Sequence, residues 1–167
     1  QLLSWLKSLL DYPQDASGLL VSGGSMANLV GLAVARTQVS NYDVRDEGID
    51  VNKFPRLVYY SSTETHSCIR KAIELLGLGS KSLRLIPTND DFTVNLQLLK
   101  SAIKKDRDNG LLPACIIANV GTVNTGAIDP LIELASIAKE EGLWLHADGA
   151  FGAIAKFAKN SSNSAHI

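Results

Sequence analysis

The sequence predicts an α/β fold built on a mostly parallel sheet. Two observations carry the prediction. Apolar runs of strand length alternate with helical stretches of about 10 to 14 residues, the pattern of βαβ units. Polar clusters follow the runs, at residues 22–25, 61–66, 119–125 and 146–148. Ligands of open parallel sheets bind beyond the carboxyl ends of the strands, so these clusters converge on one edge.

Each element has a local reason. Leu2, Leu3, Leu6, Leu9 and Leu10 form one stripe, which predicts a helix over residues 1–10 ended by Asp11-Tyr12-Pro13. Residues 18–21 are apolar and predict a short strand, followed by a turn at Ser22-Gly23-Gly24-Ser25. Ser25 is the expected N-cap of a helix over 26–36. That helix is apolar on nearly all sides, which predicts burial. Residues 37–56 are polar and aperiodic, a surface connection with at most a short helical turn. Residues 57–60 form a strand, and a helix over 66–76 is stopped by Gly77 and Gly79. A short strand over 83–86 closes at Pro87, and Asn95 caps a helix running to 108. Residues 114–118 are continuously apolar, which predicts a strand covered on both faces. After a loop of small residues, Asp129 as N-cap and Pro130 at the first position open a helix that Gly142 closes. The strand Leu143-Trp144-Leu145 then delivers His146-Ala147-Asp148-Gly149-Ala150.

The bulk composition excludes several classes. The 167 residues suffice for one domain with a core, and 46% hydrophobic with 20% charged residues is ordinary for a globular protein. A net charge of −1 offers no electrostatic case for nucleic acid or an anionic membrane. No apolar run approaches the roughly 20 residues of a spanning helix, and no signal-peptide pattern opens the chain. Cys68 and Cys115 lack metal or redox spacing and are expected as buried, reduced thiols of a cytoplasmic protein. The chain opens without Met inside a helix and closes on the polar Lys159-Asn160-Ser161-Ser162-Asn163-Ser164. A fragment of a larger enzyme is therefore expected. The expected division is a helix and connection over 1–17, a ligand-binding domain over 18–158 and a polar tail over 159–167.

Each cluster has a chemistry. Ser22-Gly23-Gly24-Ser25 joins a strand to a helix N-terminus, where glycines admit close approach and free N–H groups favour an anion such as phosphate. A tight turn with a serine cap is the alternative. His66 begins a helix; the dipole there favours a neutral ring, which can stack on a flat ligand or simply cap the helix. His146 and Asp148 lie two apart on a strand and share a face. They could form a metal pair with His66, a catalytic His oriented by an Asp, or an Asp that holds the protonated nitrogen of a pyridine. The metal reading is weakened because no second carboxylate or Cys lies nearby, and no metal is expected. Ser25 in Gly-Gly-Ser-Met-Ala does not form the G-x-S-x-G elbow of a hydrolase. A phosphate loop, a stacking His and a carboxylate together describe a socket for pyridoxal 5′-phosphate (PLP).

The residues carry a resemblance as well. Residues 18–29, Thr65-His66-Ser67, residues 121–130 and residues 146–152 together resemble the PLP-dependent group II amino-acid decarboxylases, which include aromatic-L-amino-acid, glutamate and tyrosine decarboxylases. The resemblance spans residues 18 to about 158. It implies a three-layer α/β/α domain of fold-type I, here incomplete. It implies that Gly24 and Ser25 bind the cofactor phosphate, that His66 stacks on the ring, and that Asp148 pairs with the pyridine nitrogen. Thr122 and Ala150 would line the ring, with His146 a neighbour of Asp148; His66 and Asp148 are the implied catalytic residues. An amino-acid substrate and a homodimer follow from the resemblance. Two departures stand out. Met26 replaces an acidic residue of many relatives, with little effect expected. The family's Schiff-base lysine lies roughly thirty residues beyond the Asp, after the end of this chain; Lys156 and Lys159 are too close and lack the preceding His.

Overall fold

The computed structural model describes residues 1–157, so the polar tail and Lys159 lie outside the described residues. The elements are α1 (Leu2–Leu10), α2 (Gly24–Val39), α3 (Val44–Glu47), β1 (Leu57–Ser62), α4 (Ser67–Leu75), β2 (Leu83–Ile86), α5 (Leu96–Asp108), β3 (Leu112–Asn119), α6 (Leu131–Glu141) and β4 (Trp144–Asp148). The strands form one sheet in the order β2-β1-β3-β4, and every pairing is parallel.

Alternation along the strands builds three layers. Tyr59, Cys115 and Ile117 point to one face and pack with Leu32 and Ala35 of α2 and Ile69 and Ile73 of α4. Val58, Tyr60, Ile116 and Ala118 point to the other and pack with Leu99 and Ile103 of α5 and Leu134 and Ile137 of α6. Burying a side chain such as Ile69 or Leu134 contributes about 1.5–3 kcal/mol each. The sheet is thus covered on both sides by helices, as the apolar runs predicted.

Several helix ends follow local chemistry. Asn95 caps α5 by accepting from the Leu98 N–H at 3.0 Å. Gly142 ends α6 in the left-handed conformation, φ 68°. Strand β3 begins earlier than its apolar run, at Leu112, and passes through Pro113. Proline brings no N–H to the ladder, and the β1–β3 register shifts there, from Val58 opposite Pro113 to Tyr59 opposite Cys115.

Four expectations are corrected. Residues 18–21 form no strand; they join no ladder, and Leu19 and Leu20 are 60% and 64% exposed. The cap of α2 is Gly23, not Ser25, which lies inside the first turn. Helix α2 is not buried all round: Met26 and Val34 are exposed, and its buried residues are Asn28, Leu32 and Ala35. Asp129 does not cap α6, whose N-cap is Pro130. The Asp129 carboxylate is buried and accepts instead from the Val94 N–H, the Asn119 N–H and the Asn119 side-chain amide.

Candidate functional site

Strand order places the site. Chain connections leave β1 toward β2 and β3 toward β4, so the order reverses between β1 and β3. A crevice opens beyond the carboxyl ends at such a point. Here β1 ends at Ser62 and β3 at Asn119, and the Asn119 amide donates to Ser62 Oγ at 3.1 Å. A cavity of about 290 Å³ lies there, and Gly24, Ser25, His66, Thr122, Asp148 and Ala150 all line it. The structure therefore brings together the six residues expected to hold the cofactor, while the further candidate His146 does not line the cavity.

The α2 N-terminus lines the cavity through Gly24 and Ser25. No side chain caps it, and Gly23 adopts φ 155°, a conformation that suits glycine. The first N–H groups of a helix have no intrahelical acceptor, and their dipoles favour an anion. Gly24 sits close to the opposite wall: a Cβ there would stand 3.2 Å from the Ala150 Cβ. Ser25 also lines this end, and capping does not occupy its hydroxyl.

Along the side, His66 is the N-cap of α4. Its Nδ1 accepts from the Cys68 N–H at 3.2 Å, which places the ring proton on Nε2. The capping role and the cavity-facing role thus belong to one ring. Thr122 is buried, its hydroxyl 2.6 Å from that of Thr125 and its N–H bonded to Ala127 O. The wall beyond β4 touches the loop beyond β3 through main chain: a Cβ on Gly152 would lie 2.2 Å from Val120 O, and one on Gly121 would lie 2.9 Å from Gly152 Cα.

Asp148 terminates β4 and also lines the cavity. Its Oδ1 accepts from the Ala150 N–H at 3.1 Å and its Oδ2 from Asn28 Nδ2 at 2.9 Å. Its hydrogen-bond donors are neutral, and no cation pairs with it among the described residues. His146 stands on the same face, as period-two spacing requires, but Asn28 lies between the two: His146 Nε2 is 2.6 Å from Asn28 Oδ1. Burial pushes the His146 pKa below its ordinary value, against the opposing pull of Asp148. Neither the His–Asp contact nor a metal pair is formed, and no cluster of three or more His, Cys, Asp or Glu suited to a metal occurs among the described residues.

Asn28, Asn119, Glu64, Cys68 and Phe151 also line the cavity and were not nominated. Asn28 had a visible signal. It is the one polar side chain over residues 26–35, three positions after Ser25 and so on the same face. Cys68 is buried and free, as expected, with its thiol pKa raised by burial.

A parallel sheet whose strand-end crevice is lined by an uncapped helix N-terminus and a carboxylate is an α/β domain with donors for an anion and an acceptor for a cation in one cavity. A model of the pyridoxal-dependent decarboxylase conserved domain matches residues 1–164, and the chain belongs to that family. An aromatic-L-amino-acid decarboxylase of Bacillus atrophaeus is 42% identical over 160 residues, 96% of this chain and 31% of that protein. A phenylacetaldehyde synthase of Arabidopsis thaliana is 32% identical over 157 residues, 89% of this chain and 31% of that protein. Among solved structures, mouse CSAD in apo form superposes with TM-score 0.85 at 30% identity, over 91% of this chain and 31% of that one. Tryptophan decarboxylase of Catharanthus roseus in complex with L-tryptophan gives 0.75 at 30% identity, over 86% and 31%. The fold is that of the fold-type I decarboxylases. The chain spans about a third of the length of the relatives it matches.

Proposed function

We propose that the complete protein is a PLP-dependent decarboxylase that converts an L-amino acid to its amine and CO₂, and that residues 18–158 form its cofactor-binding unit. The observation that carries this reading is the lining of one cavity by both the uncapped N–H groups of a helix and a carboxylate held only by neutral donors. That donor set fits PLP, with its phosphate on Gly24 and Ser25 and its pyridine nitrogen on Asp148.

Bound PLP supplies the electron sink for breaking the bond between the α-carbon and the carboxylate. The residues of this chain hold and tune that sink. The α2 N-terminus and Ser25 anchor the phosphate. His66, with its proton on Nε2, would stack against the ring, which Thr122 and Ala150 would line. Asp148 keeps a proton on the ring nitrogen, which makes the ring a stronger acceptor. His66 and Asp148 are the catalytic residues in this scheme.

Family resemblance also supports a homodimer. The apolar stripe of α1, where Leu2 and Leu9 are half-exposed, is a surface that such an assembly would cover. Two buried free thiols support a cytoplasmic location.

The test is a panel of L-amino acids with the complete protein and PLP, scoring CO₂, amine and aldehyde. CO₂ with stoichiometric amine is the expected result. Aldehyde in place of amine would assign the synthase chemistry named for some relatives. No binding of PLP would overturn the reading.

A further inference from the structure

Asn28 is a buried amide with a complete set of partners. It is 3% exposed, and each polar position of its side chain has a partner. One amide hydrogen points to Asp148 Oδ2 at 2.9 Å and the other to Cys68 Sγ at 3.3 Å; Oδ1 faces His146 Nε2 at 2.6 Å.

This geometry admits one proton arrangement. Flipping the amide would set Oδ1 against the Asp148 carboxylate, two acceptors in contact. The nitrogen therefore faces Asp148, and Oδ1 must accept from His146. His146 is then the Nε2–H tautomer. Its ring is held edge-on by α2, because Gly31 offers no Cβ; one there would lie 2.6 Å from Cε1 and 2.8 Å from Nδ1.

We propose that Asn28 is a positioning residue for Asp148, and that His146 acts through it by locking the amide in the orientation that donates to the carboxylate. The inference rests on the reading of Asp148 as the partner of a pyridine nitrogen. His146 donates to the amide oxygen, and the polarised amide donates to Oδ2. Both groups are neutral, so they fix the carboxylate without compensating its charge. That charge is left for the cationic nitrogen.

The test uses the complete protein with PLP labelled with ¹⁵N at the ring nitrogen. The wild type should show the shift of a protonated pyridine. Asn28→Leu should move it toward the unprotonated value and weaken PLP binding by about tenfold or more, the loss of one hydrogen bond to a charged group. His146→Leu should follow in the same direction, and His146→Gln, whose amide can donate from the Nε2 position, should restore the wild-type signal. Asn28→Asp, nearly isosteric, covers the case in which Asn28→Leu fails to fold; it sets a second carboxylate against Asp148 and should alter the shift. An unchanged ring-nitrogen signal in folded, PLP-loaded Asn28→Leu or Asn28→Asp would overturn the proposal. If the wild type binds no PLP, the cofactor reading fails separately. The relay is then judged on the cofactor-free protein: a slowly exchanging His146 Nε2 proton, lost in the Asn28 variants, supports it, and its absence from the wild type overturns it.

Discussion

Asp106 and Asp148 are two carboxylates on opposite sides of one sheet, and they are satisfied in opposite ways. Asp106, on α5, is buried and takes both arms of a cation: Arg84 donates to it through Nε and Nη2 at 2.8 to 3.2 Å. Tyr60 adds its hydroxyl at 3.0 Å. Burial pushes the Tyr60 pKa up, and the neighbouring Asp106 pushes it further; the hydrogen bond to Asp106 raises that of Arg84 against desolvation. Asp148 has only an amide and a backbone N–H. The first carboxylate is neutralised where it stands and closes a structural triad. The second is oriented but not neutralised, and it borders a cavity. Neutral donors alone do not mark a site. Asp129 is also held by N–H groups, but it is 2% exposed and is not among the residues that line the cavity at the strand ends. A carboxylate poised for a ligand combines neutral donors with an open side.

The contrast can be broken most directly at Asp148. Asp148→Asn in the complete protein should lower turnover by at least about 10²-fold while melting within a few degrees of wild type. Near-normal turnover would place Asp148 with the structural carboxylates. Asp106→Ala should do the reverse. It strands Arg84 and Tyr60 and should cost about 2–3 kcal/mol in urea denaturation, below a fully buried pair because Arg84 is 32% exposed. PLP affinity of the folded fraction should not change.

Smaller effects sharpen the same contrast. Gly31→Ala drives a methyl into the His146 ring. Overpacking costs about 1–3 kcal/mol, and helix propensity returns about 1 kcal/mol. A net loss near 1 kcal/mol is expected in thermal melts, together with weaker PLP binding. Ser25→Ala removes a single hydroxyl from the helix end and should weaken PLP binding by several-fold, about 1 kcal/mol; an unchanged dissociation constant would remove Ser25 from the phosphate site.

Acid should distinguish the two sides last. The folded pKa of His146 lies below its unfolded value, so below about pH 6.5 the unfolded chain binds a proton that the folded protein refuses. Stability contributed by the neutral ring is complete above that pH and is lost as pH falls. His146→Gln should remove this part of the acid dependence, measured as the difference between variant and wild-type stability from pH 7.5 to pH 5.

What could be read from the sequence was local. Helix ends set by Asn95, His66 and Gly142 required only a side chain and its near neighbours. The sheet required only apolar runs between helices. His66, Thr122, Asp148 and Ala150 reached the cavity because parallel topology gathers strand ends, whereas Gly24 and Ser25 reached it through the α2 N-terminus with no strand before them, and the family resemblance selected among the candidates. The errors and omissions were long-range. Asp129 looked like a cap because its acceptors' donors, Val94 and Asn119, lie 35 and 10 residues away. Asn28 was not singled out, because its partners are 40, 118 and 120 residues distant. Residues 18–21 have strand composition, yet composition alone cannot supply a neighbouring strand. Ser25 was the expected cap of α2, but the cap is Gly23, which is set by backbone conformation and makes no side-chain hydrogen bond.

The crossing of Gly152 over Val120 and Gly121 has a mechanical consequence. Where side chains meet, a cavity wall can be reshaped by swapping rotamers or trimming a methyl. Here two main chains touch with nothing between them, so the spacing is gauged by covalent geometry. Substitutions at Phe151 or Val123 can recolour the lining, but the frame behind them has no adjustable part. The chemistry of this cavity is free to drift, and its caliper is not.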